Sequence, residues 1–285
     1  MMTPELTTLV SAEALRALPN SGRPVVLIET SFDLADVAAG ERLWREGHVP
    51  GSFYLHLDRD LSGPKTGTNG RHPLPARDVF AATLGRCGIS PQTQVITFDR
   101  QGGMYAARLW WMLRWIGHSA AAVLDGGVAA WVAAGGTLVA ESSAAVAAQP
   151  YPERPTLGTA VTADALVARL GRARLIDARA GERFRGEVEP LDGAAGHIPG
   201  ALNRFFKDNL DAGSGRFKSA AQLRAEFALL LGPAGAAEVV HQCGSGVTAC
   251  HNLLAMEHAG LAGSVLYAGS WSEWSADPAR PVARG

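Results

Sequence analysis

Gly47-His48-Val49-Pro50-Gly51 returns as Gly196-His197-Ile198-Pro199-Gly200, 149 positions further along a chain of 285 residues. Ahead of each copy lies a strand-like apolar run that ends in an acid, Val25-Val26-Leu27-Ile28-Glu29 and Arg174-Leu175-Ile176-Asp177. Behind each lies another, Gln94-Val95-Ile96-Thr97-Phe98-Asp99 and Glu238-Val239-Val240-His241-Gln242-Cys243. Further on, a glycine and a tryptophan stand five apart in both, Gly126 with Trp131 and Gly269 with Trp274. Four elements in one order, at offsets of 143–149 residues, mark a duplication whose period is too long for a solenoid. The chain reads as two copies of one domain, at residues 1–140 and 161–285. Residues 141–160 between them are rich in Ala, Ser and Pro, lack periodicity, and read as a linker.

Within each copy, short β-branched runs alternate with helical patterns. Ala106–Ile116 and Thr248–Ala259 both place apolar residues at helical spacing. Such alternation predicts an α/β fold, a mostly parallel sheet in each copy with helices on both faces. Ligands of these sheets sit beyond the carboxyl ends of the strands.

Composition narrows the function. The chain is 47% apolar and 19% charged, with a net charge of −1. Its charges are mixed along the sequence, so no basic face points to nucleic acid and no polybasic run to an anionic membrane. Met1 to Asn20 lacks the basic leader of a signal or transit peptide, and the longest uncharged stretch, Val239–Met256, is too polar to span a bilayer. Three cysteines, Cys87, Cys243 and Cys250, are too few for a disulfide framework and suggest thiols in a reducing cytoplasm.

Cys243 ends a strand-like run and opens the loop Cys243-Gly244-Ser245-Gly246-Val247-Thr248, after which a helix begins near Thr248. A strand–loop–helix of this kind turns backbone N–H groups inward and adds the positive end of the helix dipole. That field favours a thiolate, and Gly244 and Gly246 let the backbone approach the sulfur and its cargo. Cys250 reads as a packing residue of the helix, and Cys87 as a buried or half-buried helix end. Zinc is a poor fit, because Cys243 and Cys250 are not two to four apart. Phosphate is a poor fit too: a cysteine phosphatase needs an arginine six positions after its cysteine, and Ala249 stands there.

The duplicated domain, the two Gly-His-Val/Ile-Pro-Gly motifs and the loop CGSGVT resemble the two-domain sulfurtransferases of the rhodanese superfamily. The likeness runs from about Val25 to Val282, and the loop is similar to that of 3-mercaptopyruvate sulfurtransferases. The resemblance implies two tandem rhodanese-like domains, of which only the C-terminal one is active. Asp99 occupies the place of Cys243 in the first copy, and a carboxylate cannot attack sulfur.

The resemblance further implies that Cys243 carries a persulfide and that Ser245, His72 and Asp58 form a proton relay. Because His72 and Asp58 come from the first copy, the site would lie between domains. Gly244, Gly246, Val247 and Thr248 would complete the sulfur-binding loop, and Arg183 would bind substrate, with Arg185 able to share that role. In 3-mercaptopyruvate sulfurtransferases a second arginine often follows in a Pro-Glu-Pro-Arg stretch, but here Leu191 stands in its place. The implied reaction is a ping-pong transfer from 3-mercaptopyruvate, through Cys243, to thioredoxin, a small thiol or cyanide, with neither cofactor nor metal. Thiosulfate is the competing donor, and the uncharged loop favours mercaptopyruvate over it. A non-catalytic sulfur-relay module fed by a partner protein is the alternative of another class.

Overall fold

The structure is a computed structural model describing residues 5–18, 22–141 and 149–285. It divides into two compact units, one from the described residues of Met1–Ser62, Pro75–Leu157 and Ser214–Arg216, the other from Gly63–Leu74, Gly158–Gly213 and Phe217–Gly285. Residues 142–148 of the linker stretch lie outside the described residues, as do 1–4 and 19–20 of the N-terminal stretch. Of the described part of the linker stretch, residues up to Leu157 belong to the first unit, while 158–160 belong to the second and Ala160 opens β6. Tyr151 is buried, its N–H donates to Ala81 O at 2.9 Å, and its hydroxyl meets His118 Nδ1 at 3.0 Å.

The first unit runs β1 (Leu9–Val10), α1 (Ala12–Ala17), β2 (Val25–Glu29), α2 (Ala39–Glu46), β3 (Phe53–Tyr54), α3 (Leu57–Asp60), α4 (Arg77–Arg86), β4 (Gln94–Phe98), α5 (Ala106–Trp115), β5 (Ala121–Leu124) and α6 (Gly127–Ala133). Its strands form one sheet in the order β1-β5-β4-β2-β3, with every pairing parallel.

The second unit runs β6 (Ala160–Val161), α7 (Ala163–Val167), β7 (Arg174–Asp177), α8 (Gly181–Arg185), β8 (Leu202–Asn203), α9 (Ala220–Leu231), β9 (Val239–Gln242), α10 (Ala249–His258), β10 (Val265–Tyr267) and α11 (Ser270–Trp274). Its sheet order, β6-β10-β9-β7-β8, is the first order strand for strand, again parallel throughout. The α/β class and the duplication read from the sequence are both present.

Local chemistry repeats as well. Ser11 caps α1 through Ala14 N at 3.2 Å, and Thr162 caps α7 through Ala165 N at 3.3 Å. In the Gly-His motifs, His48 Nδ1 meets Trp44 O and His197 Nδ1 meets Phe184 O, each at 2.8 Å. Each ring also stacks on that aromatic, with centroids 4.1 and 3.9 Å apart. The repeated histidines thus fasten the helix before them to the turn that follows.

The middle strand of each sheet, β4 or β9, is buried along its whole length, as a parallel strand covered on both faces must be. The helices that follow, α5 and α10, are also buried nearly all round, rather than showing one wet face. Trp271 and Trp274 of α11 are fully buried, and their indole N–H groups donate to Ala194 O and Pro281 O at 2.9 and 2.8 Å. Among the described residues no helix is long and apolar enough to cross a membrane.

At the end of β4 the loop closes on itself. The buried Asp99 carboxylate accepts four backbone N–H groups, from Gln101 and Gly103 at 2.8 Å, Tyr105 at 2.8 Å and Ala106 at 3.0 Å. This is an anion cradle filled by the chain's own side chain. Asp99→Asn turns an amide N–H₂ toward donors. It should lower the unfolding free energy by on the order of 2 kcal/mol, read from the urea midpoint. An unchanged midpoint would count against the cradle as a stabilising feature.

Two buried rings make folding sensitive to mild acid. Burial pushes the pKa of His118 down to about 4 and that of His241 down to about 3, from the ordinary 6.5 of a histidine. Both are neutral in the folded chain, so near pH 7 they cost nothing. Below about 6.5 the unfolded chain takes up protons that the folded chain refuses. Stability should fall by on the order of 1 kcal/mol per pH unit for each ring, down to the folded values. Melting curves between about pH 7 and pH 5 should show the drop, and His241→Leu should make it shallower. A flat profile would contradict this.

Candidate active site at the end of the middle strand

Cys243 follows β9 directly, as Asp99 follows β4. The position is the carboxyl end of the central strand of the second sheet, where such folds place ligands. The residue is 2% exposed. Its N–H donates to Ser270 Oγ at 3.1 Å, and its carbonyl accepts from Trp271 N at 3.0 Å. Ser270 has φ 53, which an L side chain adopts only at a cost, and its hydroxyl donates onward to Tyr267 O at 2.9 Å. The start of α11 thereby pins the backbone beneath the sulfur.

The thiol group sits inside its loop. Gly246 N–H donates to Cys243 Sγ at 3.2 Å. Gly246 has φ +77, and a Cβ there would lie 2.2 Å from Ala268 O, so only glycine fits. Val247 is buried, Thr248 is the cap residue of α10, and the first turn of that helix points its N–H groups back at the loop.

Ser245 and His72 are brought together. Both are buried, and Ser245 Oγ lies 2.8 Å from His72 Nδ1. His72 belongs to the segment Gly63–Leu74, which is part of the second unit although it comes from the first half of the chain. Asp58 is in the first turn of α3 in the first unit, with its N–H on His56 Nδ1 at 3.1 Å.

Of the two arginines taken from the sequence, one reaches the loop. Arg183, on α8, has its side chain 18% exposed and donates from Nη2 to Glu189 Oε1 at 2.6 Å and to Asp192 Oδ2 at 3.3 Å. A Cβ on Gly244 would meet its Nη1 and Nη2 at 3.5 and 3.7 Å. Arg185 instead forks onto Glu187 at 2.7 and 2.9 Å on a half-exposed surface.

Two further arginines join the site without having been read from the sequence. Arg71 pairs with Asp192, and its Nη2 would lie 2.9 Å from the same Cβ on Gly244. Arg179 is buried, forks onto Asp177 at 2.7 to 3.1 Å, donates to Glu189 at 3.2 Å and lies over the Trp271 ring at 4.8 Å. The result is one alternating chain of charge, Asp177–Arg179–Glu189–Arg183–Asp192–Arg71, that runs from the end of β7 to the loop.

The other cysteines are packed. Cys250 is buried with its thiol donating to Gly246 O at 3.4 Å, and Cys87 ends α4 where burial pushes its thiol up to about 12. The arrangement thus offers one sulfur at a strand end with a loop N–H on it, a hydroxyl–imidazole pair and two guanidinium groups.

Comparison with known proteins fits this geometry. The family profile of the rhodanese-like domain matches twice, at residues 11–134 and 162–277. A Pseudomonas aeruginosa protein named "Probable 3-mercaptopyruvate sulfurtransferase" is 45% identical over 92% of this chain and 93% of its own length. Human 3-mercaptopyruvate sulfurtransferase is 37% identical over 96% of this chain and 94% of its own. Among solved structures, 3-mercaptopyruvate sulfurtransferase from Leishmania major superposes with a TM-score of 0.83 at 27% identity, covering 94% of this chain and 74% of that one. The chain belongs to the rhodanese family and carries two rhodanese-like domains in tandem.

Proposed function

We propose that the protein is a sulfurtransferase that takes sulfur from 3-mercaptopyruvate onto Cys243 and passes it to a thiol or to cyanide. The observation that carries this reading is the Gly246 N–H on Cys243 Sγ at 3.2 Å, in a loop with Arg183 beside Gly244. The names of the relatives from Pseudomonas aeruginosa and human point the same way.

In the first half-reaction the Cys243 thiolate attacks the sulfur of the donor. A new S–S bond forms as the C–S bond breaks, and its electron pair leaves on carbon as the enolate of pyruvate. The donor's thiol proton ends on that carbon, so the products are pyruvate and a Cys243 persulfide anion. Ser245 and His72, 2.8 Å apart, are placed to carry the proton. The loop N–H groups and the α10 terminus are proposed to hold the outer sulfur's charge. In the second half-reaction the acceptor takes that sulfur and returns the thiolate.

The filled cradle at Asp99 supports this use of the loop. In the first unit the same strand–loop–helix surrounds a carboxylate with four N–H donors. With the cargo's place taken by its own side chain, the first copy is proposed to be catalytically silent. The domains are proposed at 1–140 and 161–285, and thioredoxin or a small thiol in the cytoplasm as acceptor.

Thiosulfate is the second candidate donor. The loop itself is uncharged, yet Arg71 and Arg183 both face Gly244, and two cations near the sulfur also suit a dianionic sulfonate. Comparing kcat/KM for 3-mercaptopyruvate and thiosulfate decides between donors, and the first should be at least about tenfold higher. A higher value for thiosulfate would reverse the assignment. Cys243→Ser should abolish turnover of both, while Cys250→Ser should stay within about threefold of the parent. Retained activity in Cys243→Ser would move the nucleophile elsewhere. Absence of turnover with either donor, with sulfur accepted from a partner protein, would make the chain a relay module.

A further inference from the structure

We propose that Ser272 is a positioning residue of the active site, whose hydroxyl holds the segment carrying His72 in place against the Cys243 loop. The inference rests on the reaction proposed above, in which His72 and Ser245 move the proton, and adds to it a residue that acts through His72.

Ser272, in α11, bonds to both parts of the site. Its N–H donates to Gly244 O at 2.9 Å, one residue after Cys243. Its Oγ accepts the N–H of Arg71 at 3.0 Å, one residue before His72. The hydroxyl proton goes to Gly269 O at 3.2 Å, which leaves the lone pairs of the oxygen for Arg71. Trp271, the residue before, donates its N–H to Cys243 O at 3.0 Å. Successive N–H groups of α11 thus hold successive carbonyls of the loop, and the Ser272 side chain carries that grip across to the segment with His72.

That segment is braced within itself. Gly63 N–H donates to Pro73 O at 2.9 Å across its neck, Thr66 N–H to Asn69 Oδ1 at 2.9 Å, and Asn69 Nδ2 to Pro64 O at 3.0 Å. A loop closed in this way keeps its shape but needs anchors to keep its place. The contact of His72 with Ser245 Oγ, at 2.8 Å, is a poor anchor, because proton transfer breaks and remakes it. The Arg71 side chain pairs with Asp192, but a long side chain with many rotamers restrains its backbone weakly. A bond to the Arg71 backbone N–H, which takes no part in the chemistry, keeps the ring within reach while its own bond changes. Gly70 permits the approach, with φ +85 and a Cβ position only 2.8 Å from Gly269 O and 3.1 Å from Ser272 Oγ.

The duplication supplies an internal comparison. Gly126 and Trp131 match Gly269 and Trp274, so Ala129 stands at the place of Ser272, and it is exposed. The backbone bond beside it is kept: Val128 N–H meets Asp99 O at 3.2 Å, as Trp271 N–H meets Cys243 O. The hydroxyl is present in the copy with a cysteine to serve and missing from the copy whose middle strand ends in Asp99.

The test is a double-mutant cycle in the full-length protein. With 3-mercaptopyruvate, Ser272→Ala should lower kcat roughly tenfold and leave KM within about threefold, and Ser272→Thr, which keeps a hydroxyl, should recover most of the loss. In a His72→Gln background, whose residual rate no longer uses the ring, Ser272→Ala should cost less than about twofold. A tenfold fall repeated in that background would overturn the assignment, because Ser272 would then act otherwise than through His72. So would a kcat for Ser272→Ala within about twofold of the parent, or a fall in kcat matched by loss of folded protein in its melting curve. Hydrogen–deuterium exchange of the peptide holding Arg71 and His72 needs no turnover. It should quicken by about tenfold in Ser272→Ala and stay near the parent in Ser272→Thr, and unchanged exchange in Ser272→Ala would also overturn the assignment. Failure of the parent to use 3-mercaptopyruvate would instead sink the proposed reaction, and the exchange result tells the two failures apart.

Discussion

A guanidinium removed from water must be answered on every side, and Arg179 is the point at which this chain meets that demand. Its side chain is 1% exposed, between the strand-end carboxylate of Asp177, the carboxylate of Glu189, the carbonyl of Gly196 and the face of Trp271. Removing any one partner would leave a buried charge short of compensation, which costs several kcal/mol. The arrangement therefore fixes the segment from Glu189 to Gly196 against the end of β7. Glu189 and Asp192 are then held where they can aim Arg183 and Arg71. The position of two cations beside Gly244 is thus inherited from one buried ion pair at the foot of the sheet.

The two units use one backbone device in opposite ways. Both end a buried middle strand in a cradle of N–H groups at the start of a buried helix. In the first, Asp99 supplies the anion permanently and the loop is closed. In the second, Cys243 stands in the same place with the Gly246 N–H on its sulfur, and Gly244 carries no side chain where Arg71 and Arg183 approach. Duplication kept the geometry, and the side chain that follows the middle strand differs: a carboxylate in the first unit, a thiol in the second.

Much of this was legible in the sequence because it is local. The strand ends, the Gly-His turns and the Cys243 loop are contiguous runs whose spacing carries their meaning, and the structure has the strands and the loop where those runs lie. The proximity of His72 and Ser245 followed from a family resemblance, not from spacing, since 173 positions separate them. Arg71 and Arg179 went unread for a physical reason. An arginine's role depends on its partners, and those of Arg71 lie 121 positions away at Asp192 and 201 positions away at Ser272. Gly70 beside it was the one local sign. Arg185 looked as eligible as Arg183, two positions earlier on the same short helix, and only the fold separates the one facing Gly244 from the one facing Glu187. Within the linker stretch, Pro-rich composition reports the lack of periodicity but not the packing of the buried Tyr151.

In the proposed reaction Cys243 itself carries the transferred sulfur. The direct measurement is mass spectrometry of the protein after brief exposure to 3-mercaptopyruvate without acceptor, followed by alkylation and peptide mapping. One added sulfur atom on the peptide holding Cys243, removed by cyanide and absent from the peptide holding Cys87, is the predicted result. Added sulfur on Cys87 or Cys250 with Cys243 unmodified, or turnover with no sulfur retained on the protein, would contradict it.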